Sequence, residues 1–240
     1  MGRQRIYNST YQRDQQNKIL CLCSICNTAK YGTSTQSARC FLYAVCHCCQ
    51  EEKPIMKEEI TKSLRVLLQR KIILYPTDTV WGLGCDATSD EAVRKIYQLK
   101  HREESKSLVI LVSSLEMLHQ YIPEVPGGAL KILKEKNKPT TIIYSNPKGL
   151  AQNTVASDDT VAIRIPNHQF CLELIRALGK PIVSTSANIS GNPTPESFSK
   201  IDQAILDGVD YVVNLERDRI AEKSSTILKL NGDEVQVIRA

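Results

Sequence analysis

The sequence holds no G-x-x-x-x-G-K-[ST], no G-x-G-x-x-G and no H-E-x-x-H, which excludes the P-loop phosphate cradle, the dinucleotide fingerprint and the zinc-protease helix as its chemistry. Its histidines are few: His47, His101, His119 and His168 are scattered through helix, loop and tail contexts, so neither a metal cluster nor a Ser-His-Asp triad has support. For His168 a capping or surface role outweighs a catalytic one. No apolar run approaches the roughly 18 residues that a membrane span needs, and the N-terminus lacks a secretory apolar region with a cleavage site. The expectation is a cytoplasmic protein with reduced thiols and no membrane partner. Strong charge is also lacking where it would matter: residues 1–55 carry seven Lys/Arg against three Asp/Glu, leaving 24 against 23 for residues 56–240. The formal +5 therefore sits largely in the N-terminal segment, and the body has no broad basic surface for nucleic acid.

At 240 residues and 42% hydrophobic, the chain can bury one substantial core. Seven of nine cysteines precede residue 50, leaving Cys85 and Cys171 as isolated thiols in the body. Residues 1–55 are rich in Asn, Gln, Ser, Thr and Cys and show neither helical nor alternating periodicity. One metal pattern exists, Cys23-x2-Cys26 followed by Cys46-x2-Cys49, in the range of a four-thiolate zinc ribbon. Neither pair carries a knuckle glycine, and Cys21, Cys40 and Cys48 blur the register, so zinc is not expected. The expected division is a Cys-rich extension over 1–55, disordered or upstream of the true start at Met56, and a catalytic domain over 56–240. Met56 opens a run that reads as a first helix, with acidic residues in its first turn and Leu64, Leu67 and Leu68 on one face.

The most informative stretch is Arg70 through Asp86, RKIILYPTDTVWGLGCD. Its apolar run 72–75 closes at Pro76 and reads as a buried strand. Thr77, Asp78 and Thr79 then place three short polar side chains at the strand end, with Gly82 and Gly84 allowing close approach of a ligand. A helix capped by Asp90 and running to about Leu99 delivers Lys100 and Arg102 at its C-terminal end, where cations also suit the helix dipole without any ligand. Further on, the periodicities predict strands over 108–112, 140–144, 160–165, 181–183, 211–214, 225–230 and 234–239. Helices are expected over 113–121, 126–136, 170–178 and 197–206. Asn231-Gly232 marks the final hairpin. Alternating strands and helices argue α/β with a mixed sheet.

Arg164 sits inside a strand, on the face opposite Ile163 and Ile165. It is either on the solvated side of an edge strand or aimed at an anion. The stretch 184–194, STSANISGNPT, holds seven hydroxyl or amide side chains in eleven residues, more than a turn requires and suited to phosphate or ribose. With Ser224-Ser225-Thr226, three strand ends carry polar loops; if they converge they form one cleft of Lys, Arg, Ser, Thr and Asn. Such a set suits polyanion binding and stabilisation of developing charge, and nucleotidyl transfer needs little more than positioning, cations and Mg²⁺ brought with the nucleotide.

Six ordered blocks, YPTDTVWGLG at 75–84, Lys100-x-Arg102, TVAIRIP at 160–166, SANxSG at 186–191, Ser225-Thr226 and Val237-Ile-Arg239, resemble the YrdC-like threonylcarbamoyl-AMP synthases over about 56–240. The resemblance implies a twisted mixed sheet flanked by helices around an open concave site. It also implies the reaction: ATP, L-threonine and bicarbonate give threonylcarbamoyl-AMP and pyrophosphate, for threonylcarbamoyladenosine modification of tRNA by a downstream transferase complex. On the family pattern Thr77, Arg164, Ser184 and Ser225 hold threonine. Lys100, Arg102, Ser186 and Asn188 form the catalytic tetrad on the nucleotide, with Thr160, Thr194 and Arg239 as further nucleotide contacts. Mg²⁺ would accompany ATP, with no organic cofactor.

The sequence also departs from that pattern. Lys136-Asn-Lys-Pro139 stands where many members carry Trp-Pro-Gly-Pro, Ser107 where a proline is common, and Ala221-Glu-Lys-Ser224 lacks the glycines usual before the Ser-Thr pair. These bear on loop shape. Two competing readings are an RNA-binding module, with direct tRNA contact through the cluster Arg94, Lys95, Lys100, Arg102 and Lys106, and a carbamoyl-transfer role of the kind this fold serves in hydrogenase maturation. The near-neutral body opposes the first, and the second normally belongs to a much longer chain.

Overall fold

The computed structural model describes residues 9–13, 19–23, 47–103, 108–135, 138–221, 224–231 and 234–239. The chain divides into two compact units, Met1–Val45 and Cys46–Ala240. In the first, β1 (Ser9–Arg13) and β2 (Ile19–Cys23) pair antiparallel with Ser9 opposite Cys23. A hairpin was not expected in a segment without alternation. Of the four cysteines weighed as zinc ligands, Cys26 and Cys46 lie outside the described residues.

The second unit is built on a nine-stranded mixed sheet. Its strands are β3 (Ile73–Tyr75), β4 (Gly82–Gly84), β5 (Val109–Leu111), β6 (Thr140–Ser145), β7 (Thr160–Arg164), β8 (Ile182–Ser186), β9 (Tyr211–Val212), β10 (Thr226–Asn231) and β11 (Glu234–Arg239). They run in the order β11-β10-β6-β7-β5-β8-β4-β3-β9. Pairs β10/β6, β5/β7 and β3/β9 are parallel and the rest antiparallel. The final hairpin closes on the pair Asn231 and Glu234. The sheet is flanked by α1 (His47–Leu68), α2 (Asp90–Leu99), α3 (Leu115–Tyr121), α4 (Gly127–Glu135), α5 (Gln169–Leu178) and α6 (Gln203–Gly208).

Several boundaries follow local chemistry. Ser89, rather than Asp90, caps α2 by accepting from the Ala92 amide, which leaves Asp90 and Glu91 in the first turn where the dipole favours them. Ser114 caps α3 in the same way, one residue after the serine expected to do so. α5 ends on Gly179 at φ 68°, the left-handed cap that glycine adopts without a Cβ penalty. The single helix expected over 197–206 is instead a 3₁₀ turn, Phe198–Lys200, and α6, whose cap Asp202 accepts from the Ala204 amide.

The first helix also differs from expectation. It begins at His47, not Met56, and carries Pro54 inside it. Its buried stripe is Glu59, Ser63 and Leu67, an i, i+4, i+8 row, while Leu68 is 66% exposed. Glu59 therefore does not serve a helix start. Its carboxylate accepts from the Tyr211 hydroxyl and the Asn214 amide, each at 2.7 Å, and so fixes α1 to the chain after β9.

The strand β4 was hidden inside what reads as a substrate loop. It pairs with β3 and β8, with Gly84 opposite Ile73 and Gly82 opposite both Tyr75 and Ser186. A Cβ on Gly84 would lie 2.6 Å from the Tyr75 ring and 2.8 Å from the Val183 carbonyl oxygen. This glycine serves strand packing, not ligand approach. At Gly82 the same atom would meet the Ser184 hydroxyl at 3.3 Å and the Thr77 methyl at 3.5 Å, so here the absent side chain does keep space open beside polar groups.

Tyr75 is fully buried and the Val183 carbonyl is backbone, so Gly84→Ala is expected to destabilise by about 1–3 kcal/mol through overpacking. Thermal unfolding should show a loss of roughly 2–10 °C for a unit of this size.

Candidate active site

β7 lies between β6 and β5, inside the sheet, so its arginine is not on an edge. Arg164 is 4% exposed. Its Nη1 donates to Asp78 Oδ1 at 2.5 Å and its Nη2 lies 3.4 Å from the Thr79 hydroxyl, while Nε is buried with no partner. The other Asp78 oxygen accepts from the Asn167 amide at 3.0 Å. A buried guanidinium needs such a counter-charge, and the residue so paired also lines a cavity.

That cavity, of about 190 Å³, is where the three polar strand ends meet: Thr77 and Thr79 after β3, Ser184, Thr185 and Ser186 on β8, and Ser224 and Ser225 before β10. Arg102, Arg164, Thr194 and Arg239 also line it, with Val109 and Ile227 as an apolar wall in mid-strand. The site thus spreads over the sheet face as well as its edge. No Asp, Glu or Lys is among the described residues that line it. Guanidinium groups at three points of its wall favour anions there. Arg239 shows the mutual repulsion: burial, and then the charge of Arg164, lower its pKa. Its guanidinium is held by donating to the Ser225 carbonyl at 2.8 and 3.2 Å, and the Ser225 hydroxyl lies 2.8 Å from that of Thr141.

Thr77 is shaped by its own turn. Its hydroxyl donates to the Val80 carbonyl at 2.7 Å and accepts from the Thr79 amide at 3.1 Å, the local side-chain bonding that makes threonine a turn residue. On the opposite wall, the Ser186 hydroxyl donates to Asn188 Oδ1 at 2.5 Å, and Asn188 Nδ2 donates to the carbonyls of Ile189 and Asn192 at 3.0 and 2.7 Å. Asn188 itself faces a neighbouring cavity of about 380 Å³ bounded by the 187–196 loop; Thr194 borders both spaces.

Lys100 is placed differently from a cavity-lining cation. It is 1% exposed, and its ammonium donates to the carbonyls of Ser186 and Asn188, each at 2.5 Å. Its own carbonyl accepts from the Ser190 amide at 2.8 Å, so the residue clasps the loop from both ends. Burial first, then the Arg102 charge, brings its pKa down to about 8. Two of its three ammonium hydrogens are used on the Ser186 and Asn188 carbonyls. Thr160 stands apart: it begins β7, shares a face with Arg164 about 13 Å along the strand, and donates to Asp158 Oδ1 at 2.6 Å.

The structure therefore gathers Thr77, Arg102, Arg164, Ser184, Ser186, Thr194, Ser225 and Arg239 around one cavity, sets Lys100 and Asn188 in its wall, and leaves Thr160 further along the same face. Sequence reasoning missed Asp78 as the counter-charge of Arg164. The only available signal was an acid in a turn together with an arginine in a strand, and their 86-residue separation carries no distance information. The buried sulfurs play no part, since burial pushes the Cys85 and Cys171 thiols well up.

A family model described as telomere recombination, covering Sua5, YciO and YrdC proteins, matches residues 65–240. A Methanocaldococcus jannaschii protein provisionally named as a threonylcarbamoyl-AMP synthase is 35% identical over 191 residues, covering 79% of this chain and 87% of its own length. The threonylcarbamoyl-AMP synthase of Xanthomonas euvesicatoria is 31% identical over 167 residues, 68% of this chain and 89% of that protein. Among solved structures, Pyrococcus abyssi Sua5 complexed with L-threonine superposes with a TM-score of 0.68 at 28% identity, over 75% of this chain. The match spans 53% of that longer protein. The chain belongs to the Sua5/YciO/YrdC family.

Proposed function

We propose that this protein is an L-threonylcarbamoyladenylate synthase, a nucleotidyltransferase that joins a threonine carbamate to the α-phosphate of ATP. The observation that carries this reading is the cavity whose described lining holds three arginines, eight hydroxyls and no carboxylate, with the Arg164 guanidinium tied to the Asp78 turn at its wall. An amino-acid carboxylate is a natural acceptor for the Arg164 guanidinium, whose five N–H groups are only partly used by Asp78 and Thr79. Thr77, Ser184 and Ser225 stand around the same space and supply hydroxyls for the threonine amine and side chain.

The chemistry needs no covalent intermediate. The threonine amine attacks CO₂ formed from bicarbonate and loses a proton, giving a carbamate. A carbamate oxygen then attacks the α-phosphorus, the bond to the β-phosphate oxygen breaks, and pyrophosphate leaves. Charge develops on the phosphoryl oxygens and the leaving group, where positioned cations act most strongly. Arg102, Arg239 and Thr194 in the cavity, and Lys100 with Ser186 and Asn188 in the 186–190 wall, are the groups assigned to the nucleotide. Thr160 would meet a more distant part of it along the sheet face. Mg²⁺ would travel with the triphosphate, held by phosphate oxygens and water, since no carboxylate is among the described lining residues. The product would pass to a downstream threonylcarbamoyl-transferase complex acting on tRNA.

Pyrophosphate release from ATP should require both L-threonine and bicarbonate. Turnover that ignores threonine, or its absence in a folded preparation, would remove the assignment. A pH profile tests Lys100 separately. Its folded-state pKa of about 8 lies below the ordinary 10.5, so the free enzyme loses this positive charge as pH rises through about 8. kcat/KM for ATP, at saturating threonine and bicarbonate, should bend downward near that pH, since this ratio reports free-enzyme groups. A flat profile to pH 10 would show that the charge on Lys100 does not serve the nucleotide. Stability runs the other way: between about pH 8 and 10.5 the unfolded chain binds the extra proton, so this group adds stability as pH rises.

A further inference from the structure

Residues 214–221, between β9 and the Ser224-Ser225 wall, do not line the cavity, yet they are tied to two of the loops that form it, the 77–81 turn and the 187–196 loop. The Asn214 amide donates to Glu59 at 2.7 Å. Glu216 lies 2.9 Å from His168 Nε2, directly after the Asn167 amide that holds Asp78. Arg217 stands 4.6 Å over the Phe198 ring, which packs 5.0 Å from Trp81 at the end of the 77–81 turn. Arg219 Nη1 donates to the Thr77 carbonyl at 2.9 Å and to Glu216 Oε2 at 3.0 Å. The Ala221 amide donates to the Glu196 carbonyl at 2.7 Å, in the loop that carries Thr194.

Single contacts of this kind are ordinary. Their arrangement is not random, because successive residues of one short segment hold the turn 77–81, the entry to α5 and the 187–196 loop. Glu216 adopts a left-handed conformation, φ 52°, which a non-glycine residue keeps only when its surroundings hold it. Hydrogen bonding from His168 and Arg219 brings its pKa down to about 2, so the carboxylate stays charged at neutral pH and pins Arg219. The segment runs into Ala221-Glu-Lys-Ser224, where the resemblance leads one to expect glycines. Arg219 supplies side-chain tethering immediately before that stretch.

We propose that residues 214–221 form a strap that sets the amino-acid turn 77–81 against the nucleotide loop 187–196, with Arg219 as the positioning residue for Thr77. Arg219 touches no substrate; it acts through the Thr77 carbonyl, on the threonine side of the cavity. The kinetic consequence rests on the synthase reading, whereas the structural consequence does not.

The test compares the full-length wild type with Arg219→Met, which keeps the stem and removes the donors, and Arg219→Lys, which restores one donor. Amide exchange of residues 79–82 should accelerate about tenfold in Arg219→Met while that of β5 stays unchanged. In threonine-dependent pyrophosphate release, KM for L-threonine should rise about tenfold with KM for ATP within about twofold, and Arg219→Lys should recover most of the loss. Should Arg219→Met fail to fold, Glu216→Gln must show both effects in the same direction at about two- to threefold. Unchanged exchange in 79–82 overturns the strap whatever the activity. Equal rises in both KM values, or an unchanged threonine KM in an active enzyme, overturn the role of Arg219. A wild type without threonine dependence overturns the synthase reading, and the exchange measurement then decides the strap alone.

Discussion

The buried pair Arg164–Asp78 is the contact on which the site depends. Its side chains are 4% and 8% exposed, and the arginine sits in the middle of a nine-stranded sheet. A guanidinium there without compensation would destabilise the fold by about 3–5 kcal/mol. Asp78 supplies the compensation from a turn 86 residues away, so folding the core and forming the turn are a single event. The same pair orients the arginine, because Nη1 and Nη2 point back to the turn while Nε is left without a protein acceptor. Stability thus fixes the geometry that recognition uses.

The cations around the cavity have two distinct physical roles. Arg102, Arg164 and Arg239 present permanently charged, planar groups to the space itself. Lys100 instead lies under the 186–190 loop, with two of its three hydrogens given to backbone carbonyls. Its reduced pKa reflects a charge held in a desolvated position beside Arg102, and a polyphosphate brought against the loop would relieve that strain.

The fold was legible where periodicity and turn chemistry are local. α2, α5, β6 and the final hairpin follow from residues within one element. β4 was not legible, because Gly82-Leu83-Gly84 is too short and too glycine-rich to alternate; only the partner strands β3 and β8 make it a strand. α1 was misplaced because Met56 reads as its opening, and Glu59 as a first-turn acid, until Tyr211 and the Asn214 amide reveal it as a buried acceptor. Within the site, hydroxyl-rich loops and Lys100-x-Arg102 announce themselves by composition. Asp78 and Arg219 do not, since each has a common surface explanation and acquires meaning only from a partner far along the chain.

The cavity occupies a sheet face bounded by turns rather than a cleft between rigid domains, so its walls are only as well placed as the contacts between loops. The turn 77–81 is held from behind by Arg164 and Asn167 through Asp78, and from the side by Arg219 through a backbone carbonyl. The facing loop is held from below by Lys100 and from its far end by Ala221. Each tether is charge-assisted or uses a backbone group. Asp78, Asn167, Arg219 and Ala221 do not line the cavity, so part of its precision comes from groups behind the wall.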